Sequence, residues 1–223
     1  MRFTSLVIIL SICLSVGIKA QNIDDFTKDM KIVFSEGFSG KSIKLFDFSH
    51  PQNWMLVENG KSGKALKCKQ IDVGDDPKSI AEMAFVKGLE LNDCVVEFNF
   101  LQKGQDFSMR DVCLIFNYVD SLNYQYVQAA SVISKTSHNF FTVVNGKVTK
   151  TGTALNSGMI WNYEKWQKIQ FVRLKSVGKT QLFVDDQLVL ETTADTNLGG
   201  IFGIGSYGSE IKIDNLKIWT PKE

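Results

Sequence analysis

The sequence predicts an all-β fold in which two antiparallel sheets pack face to face as a sandwich. Short strand-like segments recur about every ten residues with turn-forming residues between them, which is typical of sandwiches and barrels. Long helical periodicity is absent from the 223 residues, and Ile23–Met30 holds the one candidate helical turn. The part of the chain that follows an apolar leader has the size of a single domain of this class.

The clearest predicted strands lie in the middle of the chain. Cys94–Leu101 alternates apolar and polar side chains, which indicates a strand with one buried face. Val112–Val119 is apolar on both faces, as in a strand that is covered on both sides. Tyr124–Ala130 alternates again and completes the central group.

Two tight turns organise the later strands. Asn145-Gly146 follows the strand Asn139–Val144, and an Asn-Gly pair between alternating runs is a strong hairpin signal. Asp185-Asp186 is a weaker turn pair, although Asp tolerates the left-handed conformation better than most residues. The remaining predicted strands are Trp166–Lys175, Thr180–Val184, Gln187–Glu191, Gly200–Ser206 and Glu210–Trp219.

The first twenty residues have the layout of a secretory signal peptide. Arg2 gives a positive start, Leu6–Val16 is apolar, and Ala20 is a small residue at the cleavage position. Lipidation at Cys13 is the competing interpretation, although a bulky Ile12 beside it fits that processing poorly. The sequence therefore predicts a secreted or periplasmic protein whose single domain spans 21–223, with no membrane insertion.

Charge and cysteine content narrow the classes of partner. Without the leader the chain has 23 basic and 24 acidic residues, so nothing favours binding to nucleic acid or to an anionic membrane. Three cysteines remain, which leaves at least one outside any intramolecular disulfide. A Cys94–Cys113 bridge stays open, but buried free thiols at these positions and at Cys68 are favoured.

Several segments together carry a family resemblance. The first is residues 33–38 and 53–60 (VFSEGF and NWMLVENG), and the second is residues 110–120 and 123–127 (RDVCLIFNYVD and NYQYV). The third is the ending built around Trp166, residues 182–186 and residues 203–206. In these three regions the chain resembles the concanavalin A-like lectin and glucanase superfamily. The similarity is to its laminin G-like and 3-keto-disaccharide hydrolase-like secreted bacterial domains. Two departures are Asp186, where that turn usually carries Gly, and residues 114–118, which replace a segment typical of the hydrolase-like proteins.

The resemblance implies a jelly-roll sandwich and a carbohydrate ligand. Sugar recognition needs flat aromatic faces together with amides, hydroxyls and Arg that bond to sugar hydroxyls. Tyr124, Tyr126 and Gln128 share one face of a predicted strand and would form such a stripe. The candidate carbohydrate-binding residues are Arg110, Asn117, Tyr124, Tyr126, Gln128 and His138. The alternative for each of them is a structural role within the strands.

Catalysis is the competing function. Glycosidases need two carboxyl groups at a set separation, and laminarinase-type jelly rolls carry them as Glu-x-Asp-x-x-Glu, a string that this sequence lacks. A glycoside hydrolase or a polysaccharide lyase stays the alternative. A lyase would use Arg110, Tyr126 and His138. The enzyme alternative also expects Arg110, Asp111, Asp120 and His138 to lie near one end of two strands. A purely structural or protein-binding sandwich is a third hypothesis.

A structural calcium ion is the one expected cofactor. Similar jelly rolls often tie the first strand region to an acidic residue of the last strand, and here Glu36 and Asp214 match those places. Carboxylate oxygens suit calcium. The alternative is that Asp214 caps a turn or accepts hydrogen bonds from backbone amides.

Overall fold

The structure is a computed structural model that describes residues 23–73, 79–104, 107–162, 165–194 and 199–222, and within these ranges two antiparallel sheets pack face to face. The architecture is the predicted jelly-roll sandwich. The predicted signal peptide at 1–20 lies outside the described residues. One short helix, α1 (Ile23–Thr27), begins the described chain where the sequence predicts a helical turn.

The larger sheet has nine strands in the described part of the chain. Their order is β11-β14-β13-β12-β6-β16-β4-β3, and β1 pairs with β16. The strands are β1 (Met30–Glu36), β3 (Trp54–Val57), β4 (Ala65–Cys68), β6 (Cys94–Gln102), β11 (Thr153–Ala154), β12 (Gln167–Leu174), β13 (Lys179–Val184), β14 (Gln187–Thr192) and β16 (Ile211–Pro221). Strand β6 is central in this sheet. One of its faces meets the other sheet, which agrees with its alternating pattern.

The smaller sheet has seven strands over the same described ranges. Their order is β10-β9-β8-β7-β15-β5-β2. The strands are β2 (Phe46–Phe48), β5 (Glu82–Leu91), β7 (Asp111–Asp120), β8 (Asn123–Ala130), β9 (Asn139–Val144), β10 (Lys147–Lys150) and β15 (Gly200–Ser206). Strand β7 is central and buried on both sides, as its apolar sequence predicts.

The main core fills the space between the two sheets. Phe98 and Phe100 of β6 face Leu114 and Phe116 of β7 in one contiguous buried cluster. A separate small cluster lies on the far side of the nine-stranded sheet, where Phe26 of α1 packs against Phe183 with ring centroids 6.0 Å apart. No helix in the described ranges is long and apolar enough to cross a membrane.

Both predicted tight turns are present. Asn145 and Gly146 have φ of 50° and 76°, and Asp185 and Asp186 have φ of 49° and 64°. Two consecutive positive φ values define the hairpin turn that matches the twist of the flanking strands. Asp thus replaces the usual Gly in the second turn without changing its geometry.

The three cysteines of the described chain are buried thiols that form no disulfide with one another. Cys94 lies on β6 of one sheet and Cys113 on β7 of the other. The prediction of small buried apolar side chains is confirmed, and the alternative Cys94–Cys113 disulfide is not formed.

Candidate functional site

The side of the seven-stranded sheet that faces away from the other sheet carries a second cluster of aromatic and polar side chains. We call this side the outer face. Strand alternation places Asp111, Cys113 and Ile115 of β7 there, next to Tyr126 and Gln128 of β8. The predicted stripe on β8 therefore lies on one face, and that face is not the inter-sheet core.

A cavity of about 240 Å³ opens at one end of the outer face, and we call it the polar cavity after the polar side chains among its lining residues. Asp111, Gln128 and Tyr207 line it together with Arg110. Its rim carries the hydroxyl-bearing residues Ser108, Ser134, Thr136 and Ser137. The cavity therefore combines a carboxyl, an amide, a phenol and several hydroxyl groups.

Gln128 supplies the feature that points most directly to a ligand. Its side chain is 5% exposed, and its Nε2 donates to Asp111 Oδ2 at 2.8 Å. That bond fixes the orientation of the amide. Its Oε1 has no hydrogen-bond partner among the described residues. A buried acceptor without a donor is unfavourable by about 1–3 kcal/mol. This oxygen has almost no exposed surface, so a donor in the cavity reaches it only when the side chains that cover it move.

Asp111 is a fully buried carboxyl group that is held by neighbours of β15 and β8. Its Oδ1 accepts from Ser206 Oγ at 3.0 Å and from the Tyr207 amide at 3.4 Å. Burial raises the pKa of Asp111 to about 6, and the hydrogen bonds from Gln128, Ser206, Tyr207 and Cys113 oppose that rise. The group is therefore ionised at neutral pH and neutral in mild acid.

A pair of tyrosines forms the floor beside the cavity. The hydroxyl oxygens of Tyr126 and Tyr207 lie 3.0 Å apart, and the Tyr126 ring stacks on Phe141 with centroids 4.9 Å apart. Burial is the main reason that the pKa of both phenols is raised, so both keep their protons. One of the two protons bridges the pair, and the other is available to a second acceptor.

An aromatic platform continues the outer face away from the cavity. We define it as the half-buried rings of Phe85, Tyr118 and Tyr124. The Phe85 and Tyr118 centroids are 4.4 Å apart, and those of Tyr118 and Tyr124 are 5.9 Å apart. An apolar cavity of about 340 Å³ adjoins the platform, and Asp47 and Ser49 stand among its lining residues.

A glycine on β15 lets the platform form. Gly203 lies between Ile115 and Phe85 in the sheet. A Cβ at Gly203 would stand 2.7 Å from the Phe85 ring, so any side chain there would displace that ring. A glycine in a strand often marks such a close approach of neighbouring groups, and Gly203 is an example.

Of the six predicted binding residues, Gln128 and Arg110 line the polar cavity, while Tyr126 and Tyr124 belong to the outer face beside it. The Arg110 guanidinium donates to the carbonyl oxygens of Gly104 at 2.7 Å and Trp161 at 3.3 Å. It therefore ties two loops together at the cavity wall.

The other two predicted residues lie elsewhere. The backbone of Asn117 has φ of 52° at an irregularity in β7, which turns its side chain inward to donate to Gln125 Oε1 at 2.6 Å. His138 is fully buried. Its Nδ1 accepts from the Ala130 amide at 3.2 Å, and its Nε2 lies 2.6 Å from Asn156 Oδ1. The two ring nitrogens thus connect the end of β8 to the loop that contains Asn156.

The expected grouping of acidic residues for an enzyme site is wrong. Asp111 begins β7 and Asp120 ends it, so they lie at opposite ends of a ten-residue strand, roughly 30 Å apart. Asp120 instead accepts from the Leu122 amide at 2.7 Å and from Asn123 in the hairpin turn. Those hydrogen bonds lower the pKa of Asp120.

Glu36 and Asp214 bond to different loops. Glu36 Oε1 accepts from the Phe38 amide at 2.6 Å and from Ser42 Oγ at 2.8 Å. Asp214 Oδ2 accepts from the Ser62 amide at 2.9 Å. No group of three or more acidic, His or Cys side chains in the described ranges could hold a metal ion. Hydrogen-bond donors rather than further oxygens surround these carboxylates, so the residues do not fit a calcium site well, and calcium stays a prediction.

Two contributors to the outer face escaped the sequence reasoning. Tyr207 lies just after the glycine-rich strand, and Phe85 lies on β5 in a region without a clear alternating pattern. An aromatic residue within a glycine-rich segment was the available signal for Tyr207.

No protein-family model matches the chain, and a search of curated proteins gives no significant match. Solved structures do match. The carbohydrate-binding module CBM66 from Bacillus subtilis aligns with a TM-score of 0.56 and 13% identity, over 79% of this chain and 96% of that one. Domain 4 of AbnA, an extracellular arabinanase from Geobacillus stearothermophilus whose structure contains arabinotriose, aligns with a TM-score of 0.57 and 11% identity, over 86% and 94%.

A glucanase shares the same fold. SCLam, a non-specific endo-β-1,3(4)-glucanase of family GH16, aligns with a TM-score of 0.55 and 11% identity, over 87% of this chain and 92% of that chain. At these identities the similarity establishes the fold alone, a two-sheet jelly-roll sandwich, which hosts both binding domains and enzymes. The finer laminin G-like resemblance stays a prediction.

Proposed function

We propose that the mature chain is a secreted glycan-binding domain that holds a neutral carbohydrate on the outer face of its seven-stranded sheet. The observation that carries the proposal is the cavity lined by Asp111, Gln128 and Tyr207, where the buried Gln128 Oε1 lacks a partner among the described residues. A sugar hydroxyl is a donor of the right kind for this oxygen.

The chemistry of the cavity favours hydroxyl groups over anionic groups. Gln128 offers an acceptor, the Asp111 carboxylate is ionised at neutral pH, and the Tyr126–Tyr207 pair has one further proton to donate. A uronate or sulfate placed there would face a buried negative charge. Arg110 also lines the cavity, and the neutral carbonyls to which it donates leave its positive charge in place, so the two charged side chains offset each other and suit a neutral ligand.

Binding without cleavage is the simpler use of this arrangement. Among the described residues that line the polar cavity, Asp111 is the one carboxyl group. Glycoside hydrolysis in its common form needs a second carboxyl within about 5–10 Å. A lyase would need a group that neutralises a uronate and a base, and His138, its predicted acid or base, is fully buried.

The structural neighbours support the same class of ligand. The Bacillus subtilis neighbour is a carbohydrate-binding module, and the Geobacillus stearothermophilus neighbour is a domain of an arabinanase in complex with arabinotriose. Secretion is part of the proposal because of the predicted signal peptide, and an extracellular location would bring the domain into contact with polysaccharides.

The test is a binding panel with the mature chain, residues 21–223. Arabinan, mixed-linkage β-glucan and cellulose are the neutral polymers, and polygalacturonate and alginate are the anionic ones. Retention and released products are both measured, the latter by mass spectrometry. We expect retention on a neutral polymer without products. Products would instead establish the enzyme alternative, and no retention on any polymer would contradict the proposal.

A matched pair of variants then locates the site. Gln128→Met keeps the length of the side chain but removes its acceptor, and we expect affinity to fall about tenfold or more. Gln181→Met is the control, because Gln181 is also buried, has an Oε1 without a partner among the described residues, and lies on the other sheet. Equal losses in both variants would show that the outer face is not the binding surface.

A further inference from the structure

The apolar cavity beside the aromatic platform is separate from the polar cavity. Among the described residues the two cavities share no lining residue. Asp111 of the polar cavity and Tyr118 of the apolar cavity are seven residues apart on β7, which corresponds to roughly 20 Å along the strand. Ile115 and its strand partner Tyr126 lie between them and are buried. The apolar cavity is therefore a separate candidate site.

Strand pairing places a carboxylate next to the rings of the apolar cavity. Asp47 of β2 is the direct partner of Phe85 on β5, and Phe85 is the direct partner of Gly203 on β15. The Cβ atoms of such partners are about 4.5–5.5 Å apart, so the Asp47 carboxylate starts beside the Phe85 ring. Because Gly203 has no side chain, the Phe85 ring lies over it and meets the Tyr118 ring at 4.4 Å between centroids.

Two polar groups of this cavity keep hydrogen-bonding capacity for a ligand. Ser49 Oγ accepts from the Met83 amide at 3.0 Å, and that bond does not use the proton of the hydroxyl. Asp47 Oδ1 lies 2.9 Å from Lys87 Nζ, and both side chains of this ion pair are more than half exposed. The second carboxylate oxygen can accept from a hydroxyl group, while Lys87 balances the charge.

A flat ring surface with a carboxylate and a hydroxyl at its edge fits a sugar better than other ligands. The C–H face of a sugar ring packs on an aromatic ring, and its hydroxyl groups bond to such polar groups. An alkyl chain would not use Asp47 or Ser49, and an anionic group would face the Asp47 carboxylate. The cavity volume of about 340 Å³ is sufficient for one ring.

We infer that the apolar cavity is a second carbohydrate site, which holds one neutral sugar ring on Phe85 and Tyr118 with its hydroxyl groups bonded to Asp47 and Ser49. The inference rests on the proposed function for the class of ligand, but it uses no residue of the polar cavity. Two independent sites on one sheet would bind two stretches of a polysaccharide, so a polymer would bind more tightly than a disaccharide without either site being strong.

The experiment is an NMR titration of the isotope-labelled mature chain with cellobiose, laminaribiose and arabinobiose, which are disaccharides of the neutral panel polymers. A disaccharide is too short to reach from one cavity to the other, so each site is measured separately. The backbone amides of Phe85 and Tyr118 report on the apolar cavity, and those of Gln128 and Tyr207 report on the polar cavity. We expect both groups of amides to shift, with a separate saturation curve and a separate Kd for each.

Asp47→Ala and Lys87→Ala form a matched pair, because each breaks the same exposed ion pair but the first variant alone removes the acceptor. Asp47→Ala should weaken binding at the apolar cavity about fivefold or more, and Lys87→Ala should leave it within about twofold of wild type. Tyr118→Ala should remove the shifts at the apolar cavity, whereas Tyr118→Phe keeps the ring and should keep them. Gln128→Met should weaken the polar cavity alone.

The outcomes separate this inference from the proposed function. The second site is overturned if no disaccharide shifts the amides of the apolar cavity, or if Gln128→Met removes those shifts. Octanoate is the alkyl probe, and shifts with octanoate but not with sugars would assign the cavity to an apolar ligand and overturn the inference. Shifts at the apolar cavity alone would support the second site and contradict glycan binding in the polar cavity. No shift at either site with any disaccharide would contradict both.

Discussion

Replacing Asp111 with asparagine separates the stability of the fold from the function of the site. The amide oxygen of the introduced side chain can keep the bonds that Ser206 Oγ and the Tyr207 amide now make to Oδ1. Its amide nitrogen would face Gln128 in place of Oδ2, so the Gln128 amide must rotate to present Oε1 to it. The rotated Gln128 then presents N–H groups to the cavity where it presented an acceptor.

The magnitude follows from the raised pKa of Asp111. Burial moves the pKa from 3.8 in the unfolded chain to about 6 in the folded protein. Between pH 3.8 and pH 6 the folded protein binds more protons than the unfolded chain. The contribution of Asp111 to the free energy of unfolding therefore increases as pH falls through 6 and is fully present below 3.8. Ionisation at pH 7 therefore destabilises the fold by about 3 kcal/mol relative to the neutral group.

We expect Asp111→Asn to be more stable than wild type at pH 7, by up to about 3 kcal/mol, and to lose this advantage near pH 4. Urea unfolding of both proteins from pH 4 to 8 measures the difference. Burial is the main reason that the pKa of His138 is lowered, so its contribution to the free energy of unfolding decreases as pH falls. His138 is present in both proteins, so this contribution cancels in the difference. Glycan binding should fall about tenfold or more.

A variant that is less stable than wild type at pH 7 would refute this reasoning. It would show that the ionised carboxylate is required for the fold and that its burial needs no functional explanation. Unchanged stability at all pH values would show that the pKa is not raised.

Three further predictions concern the same face and the core. Tyr126→Phe removes the hydroxyl that bonds to Tyr207 and should lower the free energy of unfolding by about 1–2 kcal/mol. Tyr124→Phe is the control, because the Tyr124 ring is half-buried, and it should change this free energy less. Urea denaturation measures both variants. Gly203→Ala should displace the Phe85 ring and destabilise by about 1–3 kcal/mol, and a thermal shift no larger than that of a surface substitution would contradict the clash. In the mature chain, residues 21–223, a thiol reagent should label no cysteine in the native state and three after denaturation, namely Cys68, Cys94 and Cys113. Rapid native labelling would contradict their burial.

The strands could be predicted because alternation and turn chemistry are local properties. Asn139–Val144 and Gly200–Ser206 have the predicted bounds, and the Asn145-Gly146 and Asp185-Asp186 turns have the expected backbone conformation. The shared face of Tyr124, Tyr126 and Gln128 follows from the same two-residue period.

Two other properties of the site depend on nonlocal structure. The irregularity in β7 breaks the two-residue period, so Asn117 turns inward and Tyr118 takes its place on the outer face. Tyr207 comes from a distant segment that meets Asp111 through the pairing of β15 with β7. The burial of Gln128 depends on such neighbours, and the alternating pattern of β8 carries no information about them.

The most direct test of glycan binding at the outer face is chemical-shift mapping by NMR with the neutral oligosaccharide that binds best. We expect the largest changes at the side-chain amide of Gln128 and at the backbone amides around Tyr118 and Tyr207, with little change across the nine-stranded sheet. Changes confined to the nine-stranded sheet or to the 155–160 loop would contradict the account, because they would place the ligand away from the unpaired Gln128 oxygen.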